Sequence, residues 1–227
     1  MHARDSIHSL LGATLRSHSA GPAILGLGRD PLSHQGLLDH IEAVAAALRD
    51  RGAGREDCIA IVLSNGPEMA TCTLAVASWC CCAPLNPGYT AAELDFYLSD
   101  LQPRAVIVEA GSEAPIMAAA AARGIPTLRL HVLGEQPAGV FRLEGRSFED
   151  RPLEPLMKAP DGAALLLHTS GSTARPKLTP LTQANLCCSA RNIAGSLSLS
   201  PADRCLNVMP LFHIHGLIGA EAIGGRE

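Results

Sequence analysis

Apolar residues along this chain follow two rhythms. Between Ser33 and Arg51 they recur at helical spacing, as Leu37, Ile41, Val44 and Leu48, with Ser33 placed to cap the start and Gly52 to end the last turn. Cys58 to Leu63 is instead a continuous apolar run, the mark of a strand buried on both faces. Asn65-Gly66-Pro67 opens a second helix to about Cys81, and Ala83 to Asn86 reads as a short strand. Thr90 and Glu93 have capping-box spacing at the head of a helix through Leu101. Arg104 to Glu109 and Thr127 to Val132 read as strands around an Ala-rich helix from Ser112 to Arg123. Residues 134 to 160 lose this regularity and read as irregular surface structure. The pattern resumes with a strand from Ala163 to Leu167, a helix from Thr182 to about Leu197 and a strand from Arg204 to Met209. Near-continuous apolar strands alternating with helices predict an α/β fold, mostly parallel sheet covered by helices. The break near 150 suggests an N-terminal α/β subdomain over 1–150 and the start of a second one over 151–227.

Composition narrows the class without naming a function. Of 227 residues, 47% are apolar and 18% charged, with a net charge of -4, a globular profile lacking the basic excess that nucleic acid or an anionic membrane would attract. No apolar stretch is long enough to span a bilayer, and Met1-His2-Ala3-Arg4-Asp5 does not begin a secretory signal, so a cytoplasmic location is expected. Eight cysteines, at 58, 72, 80, 81, 82, 187, 188 and 205, lack the two-residue spacer of a zinc pair. All eight fall in apolar surroundings and are expected to be core thiols.

Candidate chemistry concentrates between His168 and Lys177. Thr169, Ser170, Ser172 and Thr173 supply hydroxyl donors, Gly171 admits close backbone approach, and Lys177 adds a positive charge, all on a loop leaving a strand. Such a loop suits a polyphosphate. A Walker A loop is excluded, because no Gly precedes Lys177 and Leu178 follows it. Taken alone, the loop is equally compatible with a polar connection that binds nothing.

Further blocks change that balance. The run from Thr169 to Lys177 resembles the phosphate-binding signature of the adenylate-forming superfamily of acyl-CoA synthetases, luciferases and peptide-synthetase adenylation domains. Met209-Pro210-Leu211-Phe212-His213-Ile214-His215-Gly216-Leu217 resembles that superfamily's next block, and Ala83 to Thr90 and Cys58 to Glu68 resemble its N-terminal region. His168 to Lys177, Pro180 to Thr182 and Met209 to Leu217 look most like the oxalate–CoA ligase-like branch. The resemblance implies ATP-dependent activation of a small carboxylic acid as an acyl-adenylate, with release of pyrophosphate. A thiol, usually coenzyme A, then takes the acyl group, and Mg2+ accompanies ATP. It further implies that Thr169, Ser170, Gly171, Ser172, Thr173 and Lys177 bind the phosphates, and that His213 borders the reacting carboxylate. Ala174 and Leu178 stand where the family usually has glycine. His213 and His215 lack a third ligand nearby, so no protein-held metal site is expected.

The family's adenine and ribose recognition, hinge and C-terminal domain would lie downstream of this sequence. After Leu217 the resemblance implies an apolar helix, whereas the chain runs through Glu221 and Gly224-Gly225 to Arg226-Glu227. The expectation is an N-terminal fragment, inactive alone. A non-catalytic polyphosphate-binding module and a fragment without function stand as alternatives.

Overall fold

The computed structural model describes residues 6–148, 161–169 and 176–221. Helix α1 (Ile7–His18) precedes a small antiparallel pair, β1 (Pro22–Ile24) and β2 (Leu32–Ser33). There follow α2 (His34–Arg49), β3 (Cys58–Val62), α3 (Pro67–Trp79), β4 (Cys81–Pro84), α4 (Ala91–Leu101), β5 (Ala105–Glu109), α5 (Pro115–Ala122), β6 (Thr127–Val132) and β7 (Phe141–Glu144). The remaining elements are β8 (Ala163–Thr169), β9 (Lys177–Thr182), α6 (Gln183–Ser196) and α7 (Ile214–Glu221).

One sheet runs in the order β7-β6-β5-β3-β4-β8-β9. Its five inner strands are parallel, and β7 and β9 close the two edges antiparallel. Strand alternation divides the core. Ile59 and Ile61 face the helices α1 to α3, among Ile41, Leu48, Met69, Val76 and Trp79. Ala60 and Val62 face α4 and α5, among Leu94, Leu98, Ile116 and Ala120. The α/β fold of mostly parallel sheet expected from the sequence is therefore present, and β8 and β9 belong to the same sheet as the strands before residue 150.

Local chemistry sets the helix starts. Ser33, Thr90 and Thr182 each cap a helix through the side-chain oxygen, and at α4 Glu93 returns a bond to the Thr90 backbone. Those bonds to Thr90 hold the Glu93 carboxyl below its ordinary range.

Several elements were not legible locally. Lys177–Thr182, where no strand was expected, is strand β9, paired antiparallel with β8 across a register shift between Ala163 and Leu165. Phe141–Glu144, expected to be irregular, is strand β7, with Phe141 buried and Glu144 exposed. Its approach is organised from outside the segment. The Arg29 guanidinium pairs with Glu68 and donates to the carbonyls of Leu133 at 3.1 Å, Gln136 at 3.0 Å and Pro137 at 2.8 Å. Thr71 donates to Gly139 O at 2.6 Å, and a Cβ on Gly139, whose φ is +90°, would meet Thr71 Cγ2 at 2.7 Å. Conversely, the strand expected at Arg204–Met209 does not form. Leu206 and Val208 are exposed, and no described strand lies beside them to accept a ladder; strand propensity without a pairing edge leaves the backbone in water. Cys188 and Cys205 are exposed, not core thiols, whereas five of the other cysteines are buried and Cys58 is half-buried. Burial pushes the Cys72 thiol far up, so it stays protonated.

Gln183 is the principal buried polar tie. At the first turn of α6 and fully buried, it accepts from Ile7 N at 3.0 Å and donates to Ala77 O, joining α1, α3 and α6. Gln183→Leu strands a buried donor and a buried acceptor, and is expected to lower unfolding free energy by roughly 2 to 4 kcal/mol in chemical denaturation. A change below about 0.5 kcal/mol would sink that account.

His40 of α2 stacks edge-on against Phe141 at 4.6 Å, and its Nε2 has no hydrogen-bond partner among the described residues. Burial lowers its pKa, with Glu68 pulling weakly the other way. The folded chain therefore resists a proton that the unfolded chain accepts below about pH 6.5, so this contribution is present above that pH and lost as pH falls towards the folded value. His40→Gln is expected to flatten the decline of thermal stability between pH 7 and 5. An equally steep decline in the variant would refute this.

Candidate active site at the carboxyl edge

Because β3, β4 and β8 are parallel, their carboxyl ends open on the same edge of the sheet. From there α3 leaves to one face and α4 to the other, the arrangement that leaves a ligand crevice in open α/β sheets. These three strands are followed there by Ser64-Asn65-Gly66 after β3, Leu85 to Thr90 after β4, and the turn from β8 to β9.

At the base of the hairpin Thr169 and Lys177 are direct register partners. Thr169 Oγ1 donates to Lys177 O at 3.3 Å, and both residues are exposed. A hydroxyl and an ammonium are thus presented side by side at the carboxyl edge. Ser170, Gly171, Ser172 and Thr173 lie outside the described residues.

His213 arrives at the same edge from far along the chain. Asn65 recruits it: its side-chain oxygen accepts from Leu211 N at 2.9 Å and its amide donates to Met209 O at 3.4 Å. Leu211 and Leu217 anchor the segment in the core on the α3 face. His213 N donates to Pro210 O and Leu217 N donates to His213 O, which starts α7, and Asn207 donates to Gly216 O at 3.2 Å. The imidazole itself is exposed beside Phe212, with ring centroids 4.7 Å apart. His215 is also exposed, and among the described residues no cluster of three or more His, Cys, Asp or Glu could hold a metal ion. Asn65 and Gly216 are organising residues that sequence reasoning passed over. Asn65 read only as part of a helix opening, and Gly216 only as a member of a block.

A scan against family models matches residues 14–224 to the AMP-binding enzyme family. The chain belongs to the AMP-binding enzymes. Among curated relatives in this family, oxalate–CoA ligase of Arabidopsis thaliana is 36% identical over 94% of this chain and 42% of its own length. Oxalate–CoA ligase of Saccharomyces cerevisiae is 35% identical over 73% of this chain and 34% of its own length. Apo MatB from Rhodopseudomonas palustris superposes with a TM-score of 0.78 at 25% identity, covering 96% of this chain and 43% of that one. The ATP-bound form of the same protein gives a TM-score of 0.77. The chain therefore spans about two fifths of the length of the first curated relatives it matches. No described helix is long and apolar enough to cross a membrane.

The packing of the His213 segment makes one residue indispensable. A Cβ on Gly216 would sit 2.3 Å from Pro210 O and 3.1 Å from Met209 O, both backbone atoms. Gly216→Ala must therefore move the backbone that carries His213, and is expected to destabilise the fold by about 1 to 3 kcal/mol. Increased proteolytic cutting near 207–217 would accompany it, and unchanged stability with unchanged cutting would contradict the tight packing.

Proposed function

We propose that this chain carries the polyphosphate-binding part of an ATP-dependent acid–CoA ligase acting on a small carboxylic acid. The observation that carries the reading is the pairing of Thr169 with Lys177 at the carboxyl edge of the sheet. Membership of the AMP-binding family, oxalate–CoA ligase relatives and the likeness to ATP-bound MatB support it. In this reaction the carboxylate oxygen attacks the α-phosphorus of ATP, the bond to the β-phosphate oxygen breaks, and pyrophosphate leaves with its electron pair. The thiol of coenzyme A then loses its proton and its sulfur attacks the acyl carbon, the bond from that carbon to the AMP phosphate oxygen breaks, and AMP departs.

The protein's contribution to the first step is positioning and charge neutralisation. Thr169, exchanging its long bond to Lys177 O for one to the ligand, donates with Ser170, Ser172 and Thr173 to the β- and γ-phosphates; Gly171 allows the backbone to come close, and Lys177 offsets the charge growing on the leaving pyrophosphate. His213 orients the reacting carboxylate at the α-phosphate, held there by the Asn65 tether. Mg2+ accompanies ATP in this reaction class; the described side chains offer no cluster of ligands for it, and its coordination is not assigned to them.

Lys177→Ala tests the reading. Removing a charge-assisted contact is expected to weaken binding of pyrophosphate and of ATP about tenfold or more in calorimetric titration. Equal affinities for wild type and variant would remove the hairpin as the site.

A further inference from the structure

His168 is the residue before Thr169 on β8, and strand alternation turns the two side chains to opposite faces. If Thr169 faces the phosphates, His168 cannot touch them. Its side chain is only 5% exposed and lies against α4, edge-on to Tyr97 at 4.6 Å. Its Nε2 is 2.8 Å from Asp100 Oδ2; the carboxylate can only accept, so Nε2 carries the proton. Tyr97 in turn stacks on Tyr89 at 4.7 Å, and Tyr89 comes from the β4–α4 connection. One imidazole thus joins β8, α4 and the connection after β4 directly behind the paired Thr169 and Lys177.

Asp100 is informative for where it sits. It occupies the last turn of α4, where a carboxylate opposes the helix dipole, and it is 43% exposed. Helix stability would select against an acid there, so its partner gives it a purpose. We infer that His168 is a positioning residue for polyphosphate recognition: clamped by Asp100 and Tyr97, it fixes the base of the β8–β9 hairpin so that Thr169 and Lys177 present their donors together. The inference rests on the hairpin being the polyphosphate site, as proposed above.

The test is pyrophosphate affinity of the 227-residue chain by calorimetry, with thermal unfolding measured on the same samples. His168→Leu and Asp100→Ala are expected to weaken pyrophosphate binding roughly three- to tenfold, the loss of one hydrogen bond. His168→Gln keeps a donor and Asp100→Asn keeps an acceptor, so both should recover most of the affinity. In Asp100→Ala the relieved helix end offsets the lost bond, whose place on the open Asp100 side water can take, so the unfolding midpoint should change little. Should His168→Leu fail to fold, the exposed Asp100 variants carry the test. Wild-type affinity in Asp100→Ala, with Lys177→Ala weakened, overturns the clamp while leaving the hairpin site standing. Loss of affinity only where the unfolding midpoint also falls overturns it too, because that marks general destabilisation. Lys177→Ala binding like wild type, or no binding by wild type, brings down both readings.

Discussion

Parallel pairing of β8 on β4 is the constraint on which the site depends, because it brings a strand from late in the chain to the edge where the earlier βα connections already open. The ladder is short, with Cys82 opposite Leu165 as its described register pair. An antiparallel β8 would send Thr169 to the opposite edge, away from Asn65 and Asn86. The pairing is supported from the side by Gln183, whose buried amide fixes α6 against α1 and α3 immediately after β9. Apolar side chains of β8 then fill both faces, Leu165 and Leu167 towards α3 and Leu166 towards α4.

Polar side chains reach across the molecule at the points where loops must be held. Asn65 holds the segment that carries His213, Arg29 and Glu68 hold the return from β6 to β7, and His168 ties β8 to α4. Each joins parts of the chain far apart in sequence, and each lies at a partly open position where the bond fixes a loop or strand end. Loops organised in this way need no regular secondary structure of their own. Their composition accordingly gives little warning of their order.

Much of the fold was legible in the residues. The helical spacing of Leu37, Ile41, Val44 and Leu48, and the capping pair Thr90 and Glu93, are local signals, and both helices form where these place them. The same holds for β3 and β5, whose apolar runs are long enough to read, and for β6, where Leu128, Leu130 and Val132 alternate with polar residues. β7 and β9 were missed for a physical reason. Both are antiparallel edge strands, half exposed and mixed in composition, and they are strands only because β6 and β8 offer them an edge. Arg204–Met209 is the reverse case, with strand-like residues and no described partner.

The sequence by itself determined the α/β alternation, the helix starts, the hydroxyl-rich run with its lysine, and the family that the ordered blocks identify. These follow from short-range spacing and residue chemistry. Only the tertiary structure decided that Lys177 stands opposite Thr169, that Asn65 carries the His213 segment, that His168 turns away from the hairpin towards Asp100, and that Cys188 and Cys205 are exposed. Those facts depend on register and on which surfaces meet, and both are set by contacts between residues far apart in the chain, which local spacing does not encode.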